Sequence, residues 1–442
     1  MTMQDQPALT MSPAHWQNAS DARTGDCAQL AQCLQDARGR TLALFAAFED
    51  ALAPTALAVP YSGQLNPPLW ELGHIAWFQE WWLARNRERA RGAAADPDCA
   101  RPPSCLAGAD ALYNSSLVPH ARRWHLPLPD DAATRHFLAQ TLQQSLHLLA
   151  QSEASDDALY FFRLALFHED MHAEAAVYMA QALGIPLPQQ EAMPAGAVVC
   201  LPPAPTIALH VAARDWTLGW GGASGFAFDN ELAQQTVSLR AFEIDAAPVS
   251  WARYLPFVQA GGYQDPRWWS PQGRAWLQTA GACVATAAAQ VPTTSAVLQG
   301  PRYLRREGGA WLARRGGAWQ TLDLLAPAVH LSAHEADAWC CWAGRRLATE
   351  AEWECAALTQ RGFVWGEVWD WTASVFDPFA GFVSHPYRDY SKPWFGTRRV
   401  LKGACTATSP RMRHPKYRNF FTPERNDIIA GFRSCATLVE PV

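Results

Sequence analysis

Apolar side chains recur every three or four residues through four stretches of the first half of the chain, and that rhythm is lost beyond Pro186. Leu30, Cys33, Leu34, Leu42 and Phe45 fall on this spacing and predict a first helix from Asp26 to Leu52. Asn66 suits a helix cap and Pro67 a first turn, so a second helix is predicted from Leu69 through Arg87. Ala132 to Leu149 reads as a third. A fourth begins behind Ser155, with acidic residues in its first turn, and stops at Gly184 and Pro186. Joined in up-down order, these make a four-helix bundle over residues 26–186. Residues 1–25 are polar and poorly patterned, which predicts a flexible tail. Residues 92–129 form a long connection rich in Pro, Ala, Gly and Ser that carries Tyr113-Asn114-Ser115-Ser116, and a connection of that length is usually functional or mobile. A Pro- and Ala-rich linker over 187–206 follows. From 207 to 442 the chain shows short strand-like runs (Ile207–Val211, Gln235–Leu239), Gly- and Trp-rich turns and one clear helix, Ser332–Ala343, as expected of an irregular α+β domain.

With 442 residues, 49% of them apolar, the chain is long enough to bury two or three cores. A net charge of -5 without any Lys/Arg run leaves no basic field for nucleic acid or an anionic membrane. No apolar run approaches the roughly 18 residues of a membrane span, and the N-terminus lacks a signal-peptide core, so a cytoplasmic location is expected. The 11 cysteines include no Cys-x-x-Cys, which argues against a disulfide framework or a structural zinc knuckle. Trp outnumbers Tyr by 21 to 10, a density that suits aromatic cores or a pocket for a flat cation.

The candidate chemistry sits on the fourth helix. His168 and His172 are four residues apart, which stacks their imidazoles on one face, one turn from each other. Two neutral imidazoles so placed can grip one divalent metal. The bland alternative is a pair of satisfied core histidines, and the same letters also spell His168-Glu169-x-x-His172, the zinc-peptidase signature with Glu169 as general base. On the second helix His74 is flanked by Trp70, Trp77, Phe78 and Trp81, an aromatic face on which an unpaired ring is costly, and it is the natural third ligand. Glu174 reads as a residue orienting an imidazole from outside, or as a helix-surface carboxylate.

Further motifs add a family. Gly225-Phe-Ala-Phe-Asp-Asn-Glu231, Pro248-Val-Ser250, Arg346-Leu-Ala-Thr-Glu350, Val368-Trp-Asp370-Trp371 and Ala430-Gly431-Phe432-Arg433 resemble, in order, the formylglycine-generating, sulfatase-modifying-factor domain, which implies a C-type-lectin-like fold over about residues 207–436. The first half looks like a DinB-type four-helix bundle, whose metal sites take one His from an early helix and two from a later one. The combination resembles the family of ergothioneine-type sulfoxide synthases and selenoneine synthases. That resemblance implies a non-haem Fe(2+) site on His74, His168 and His172 and the substrates O2, hercynine (Nα-trimethylhistidine) and a sulfur or selenium donor. A zinc peptidase would need a third ligand downstream, and Glu191 lies beyond the helix end and two prolines, so His74 is better placed. Two other readings stay open: a metal-free binding module on the same folds, and a formylglycine-type sulfatase activator using Cys405 and Cys435.

The resemblance also places substrate contacts. Asn419 and Phe420 are the expected hercynine contacts, while Met171 stands where the sulfur enzymes often carry a Gln. The γ-glutamylcysteine branch grips its donor with an Asp and Arg residues; the Asp position falls on Phe421, Arg425 remains, and a second Arg position falls near Cys105. The Tyr pair of the cysteine-using branch is replaced by Ser116 and Leu117. Tyr387 and Tyr390 are the candidate proton donors. With a weakened charged grip, a selenosugar is the preferred donor and cysteine or γ-glutamylcysteine the alternative.

Overall fold

A computed structural model describes residues 16–188, 207–221, 224–288 and 298–437. Its first half is helical: α1 (Gln17–Thr24), α2 (Cys27–Leu52), α3 (Pro68–Trp82), a short α4 (Ala109–Tyr113), α5 (Asp131–Ala150) and α6 (Asp156–Leu183). The four long helices α2, α3, α5 and α6 pack on one another around a common core. Local signals set their ends. Asp26 and Gln29 close a capping box at the start of α2. The Ser155 hydroxyl accepts from the Ala158 amide, 3.3 Å away, and Gly184 turns left-handed at φ 76° to finish α6. Twelve of the fifteen residues of α3 are buried, so this helix is the inner member.

Three sequence expectations for this half need correction. The supposed tail of residues 1–25 includes α1, which the buried Arg23 ties to Glu231 of the second half through bonds of 2.8 and 3.0 Å. Asn66 does not cap α3, whose cap position is Pro67 without a side-chain bond; its amide instead reaches Glu71 and accepts from Arg123. The helix also stops at Trp82 rather than Arg87, because the Arg85 guanidinium turns to Asp110 (2.6 and 2.8 Å) and the Pro102 carbonyl (2.7 Å). The expected linker lies outside the described residues from 189 to 206.

The second half is sheet-rich and irregular, as expected. In chain order it holds β1 (Ala208–Val211), β2 (Arg214–Leu218), β3 (Gln235–Leu239), β4 (Phe242–Asp245), α7 (Trp251–Gln259), α8 (Pro271–Ala288), β5 (Leu304–Glu307), β6 (Ala310–Arg315), β7 (Ala318–Thr321), α9 (Ala333–Trp342), β8 (Arg346–Leu347), α10 (Glu350–Thr359), β9 (Trp369–Val375), β10 (Arg399–Gly403), β11 (Asn419–Phe421), β12 (Ala430–Gly431) and β13 (Ser434–Thr437). Two four-stranded sheets, β1-β4-β13-β8 and β11-β10-β9-β12, are accompanied by the β2-β3 and β5-β6-β7 ribbons. The single helix expected here, α9, is present, but α7, α8 and α10 join it. α7 is interrupted by Pro256, and α10 carries no polar stripe because Glu350, Glu352 and Glu354 are buried against Arg418, Arg346 and the Lys402–Lys416 pair. One hydrophobic cluster spans both halves, joining α2, α3 and α6 to Trp369, Trp371 and Tyr417. Among the described residues, no helix is long and apolar enough to cross a membrane.

Candidate metal centre

Helix α6 presents a different partner at almost every residue of its middle turns. His168 and His172 bring their Nε2 atoms to 3.2 Å from each other. The His74 ring arrives from α3 with its centroid 5.1 Å from His168 and 5.0 Å from His172. One nitrogen from each of the three rings lies within 4.8 Å of the others. His74 Nδ1 donates to the Tyr113 carbonyl at 2.8 Å, and His172 Nδ1 meets the Glu71 carboxylate, so both rings are left with Nε2 free to ligate. Phe78 stacks on His168 at 3.5 Å between centroids and fixes its plane. The approach of Tyr113 requires a glycine beneath it, since a β-carbon on Gly73 would stand 2.1 Å from the phenol ring.

The electrostatics agree with ligation. Burial, and then the neighbouring His172, hold His74 down to about 3; burial and the other two rings hold His168 far below the usual imidazole range. Neutral imidazoles have the lone pair a metal needs. Burial alone would raise the Glu71 carboxyl, but His172, His74 and Asn66 outweigh it and keep it at about 2. Glu71 is thus an anion aimed at a ligand ring. Glu71→Gln is expected to weaken metal affinity by about 10–100-fold while leaving the fold intact, as equilibrium metal titration will show.

The remaining polar residues of α6 bear out one judgement and correct another expectation. Glu169 is no general base: both its oxygens are taken by the buried Arg38, at 2.8 and 3.2 Å, on the side of α2, which removes the peptidase reading. Glu174 orients no imidazole either. It accepts from the Tyr178 hydroxyl and from Trp369 Nε1 at 2.7 Å, and so welds α6 to the second half. Asp170 does likewise through Arg411, at 2.6 and 3.1 Å. Glu71, which does orient a ring, was missed; an acidic residue one turn before His74 in a Trp-rich helix was the available signal.

Beside the triad runs a cleft of about 260 Å³ whose walls are Trp77, Phe78, Trp81 and Trp82 from the helical half, the loops 97–98 and 114–116, and residues 386–389 from the second half. Tyr387 overhangs it, edge-on to Phe78 at 4.9 Å and 6.4 Å from the His168 ring. Tyr390 stands 6.0 Å behind Tyr387, stacked on Phe228 at 4.4 Å, with its hydroxyl 3.2 Å from that of Tyr417. Tyr417 in turn donates to Met171 Sδ at 3.6 Å. Phe420 stacks on Phe376 at 4.0 Å and meets the edge of Tyr390 at 5.9 Å. Asn419 turns its carbonyl oxygen back to the Phe420 amide, 2.9 Å away. Arg425 covers Phe421 and is bound to Asp427 at 2.6 and 2.7 Å. Ser116 reaches Asp389, Leu117 is exposed, and the Cys105 amide donates to Glu80 at 2.8 Å. Cys405 lies 3.5 Å from the Tyr178 hydroxyl, whereas Cys435 sits in β13 opposite Ile244 and Arg346, so the two share no partner. Glu191 lies outside the described residues.

Three convergent imidazoles in the helical half, covered by the sheet-rich half, define a protein with a candidate metal centre at the junction of the two. The model of the Sulfatase-modifying factor enzyme 1-like domain matches residues 216–367. Over 464 residues the chain is 31% identical to the hercynine oxygenase of Mycolicibacterium smegmatis, covering 91% of this chain and 97% of the relative. It is likewise 31% identical over 456 residues to the hercynine oxygenase of Mycobacterium tuberculosis, with 92% and 98% covered. A formylglycine-generating enzyme of Streptomyces coelicolor is 29% identical over 280 residues, which cover 50% of this chain and 86% of that one. The chain belongs to the hercynine oxygenase family.

Proposed function

We propose that the protein is an iron(II)- and O2-dependent enzyme that forms a carbon–selenium bond between a selenosugar and C2 of the hercynine imidazole. The helical half is read as a DinB-type bundle, and His74, His168 and His172 as the ligands of Fe(2+). Membership of a family whose relatives are named for hercynine supports the acceptor. The cleft wall is the observation that carries the choice of donor. Trp77, Trp81 and Trp82 make the wall largely aromatic, and Asn114, Ser115 and the bonded Ser116–Asp389 pair add neutral and acidic groups that can exchange their bonds for those of sugar hydroxyls. The arginine on that wall, Arg388, is bound to Asp98 at 3.0 Å, and Arg425 is bound to Asp427. Arg101, over the Trp81 and Trp82 rings without a hydrogen-bond partner, is the guanidinium near that wall that an amino-acid donor's carboxylate would have to use, whereas a neutral sugar needs no cation.

Bound iron would supply reduction of O2 and a soft position for the selenolate. The protein's own groups do the rest. In the product the C2–H bond is replaced by C–Se, with O2 as electron acceptor, and the two substrates react because they are held side by side. The trimethylammonium of hercynine is assigned to the aromatic faces of Tyr390 and Phe420, with Asn419 and Met171 nearby. Tyr387 is assigned as proton donor on its position over the cleft; burial raises its phenol far above the ordinary value, so Oη stays protonated until negative charge develops beside it, while Tyr390, with its hydroxyl paired to Tyr417, serves Tyr387 by packing.

The test is direct. The Fe(II) protein receives hercynine and O2 with a selenosugar, cysteine or γ-glutamylcysteine in turn, and products are read by mass. Product with the selenosugar is expected. Turnover of cysteine or γ-glutamylcysteine alone would replace the donor while keeping the acceptor, and absence of O2 uptake with every donor would overturn the whole reading.

A further inference from the structure

A second, smaller cavity touches the triad and shares no lining residue with the aromatic cleft. It has a volume of about 30 Å³ and lies where α2, α3 and α6 meet. Leu44, Phe45 and Phe48 come from α2, Leu72 and Ile75 from α3, and Ala173, Ala176 and Met179 from α6; His172 and Glu71 close the end that faces the metal ligands. This volume exceeds the roughly 10–15 Å³ that one water-sized molecule requires. The polarity of the wall decides which one. A buried water needs two to four polar partners, as a general rule. Of the polar lining groups, Glu71 is already engaged through one oxygen with Asn66 and through the other with His172, whose Nδ1 is thereby used as well. The Thr41 hydroxyl is buried without a hydrogen-bond partner, and nine of the twelve lining residues are apolar. A cavity with so apolar a wall takes apolar guests.

We propose that this cavity is a binding site for a small apolar gas, and that in the working enzyme it holds O2 beside His172 while the polar substrates use the aromatic cleft. The assignment rests on the O2-dependent reading above. Gas held there lies beside His172 and shares no lining residue with the cleft of the polar substrates.

Crystals of the full-length Fe(II) protein pressurised with xenon test the site whatever the reaction proves to be. An anomalous peak between Ala176, Leu44 and Ile75 is expected. Ordered water filling the cavity, or no xenon in it, would overturn the proposal. Ala176→Leu, which fills the cavity from the edge of α6, should abolish the xenon peak and raise KM for O2 several-fold without changing KM for hercynine; an unchanged KM for O2 in a variant that has lost the peak also overturns it. Leu44→Phe provides the same reading from α2 should the first variant not fold. Xenon bound in a protein that consumes no O2 with hercynine would instead retain the gas site and reject the reaction.

Discussion

Replacing His168 with alanine should leave a protein that no longer holds a divalent metal through dialysis and that has lost turnover. The expected loss exceeds the roughly 10–100-fold that follows from removing a ligand's supporting partner, because one of three donor atoms is gone. Stability gives an independent reading. A metal that binds only the folded state stabilises it by about 2.7 kcal/mol at a hundredfold excess over Kd, and this increment should appear for the natural chain and be missing in the variant. His168→Gln keeps a side chain against Phe78 and separates the lost ligand from the lost packing. Metal retained in both variants, with the same thermal shift, would show that the rings do not act together.

A second large effect is expected at Arg38, which touches no metal ligand. Its guanidinium donates to Glu169, to Gln79 of α3 at 2.8 Å and to the Leu138 carbonyl of α5, so one side chain of α2 joins three other helices. Arg38→Met leaves the Glu169 carboxylate buried without its cation. Breaking a buried pair in this way costs about 3–5 kcal/mol. The double change Arg38→Met with Glu169→Leu removes both charges and should recover most of that loss. Urea denaturation of the four proteins in the cycle measures it. A single variant as stable as the parent would mean that Glu169 finds another partner and that Arg38 does not hold α6.

Much of the first half was legible in the sequence because its signals are local. Asp26, Ser155 and Gly184 cap helices by bonds to residues three or four away, and His168 and His172 are neighbours on one helix whatever else the chain does. His74 was found because an aromatic face makes a lone imidazole costly. What failed depended on long-range pairing. Arg23 looked like a tail residue since Glu231 is 208 positions away, and Glu174 looked like a helper of the triad since Trp369 is 195 positions away. The helix α10 was not expected at all: its carboxylates Glu350 and Glu354 are buried on Arg418 and Lys402, 68 and 48 positions away. Glu71 was overlooked for a related reason: an i, i+3 neighbour of His74, it serves not that ring but His172, 101 residues on.

The bonds from Asp170 to Arg411 and from Glu174 to Trp369 bear on how such a protein can be divided or inherited. A cut between the helical and sheet-rich segments would strand two acidic groups on the very helix that carries His168 and His172. Segments exchanged between relatives must therefore travel with both ends of these contacts, and the seam visible in the sequence is no place to make a graft.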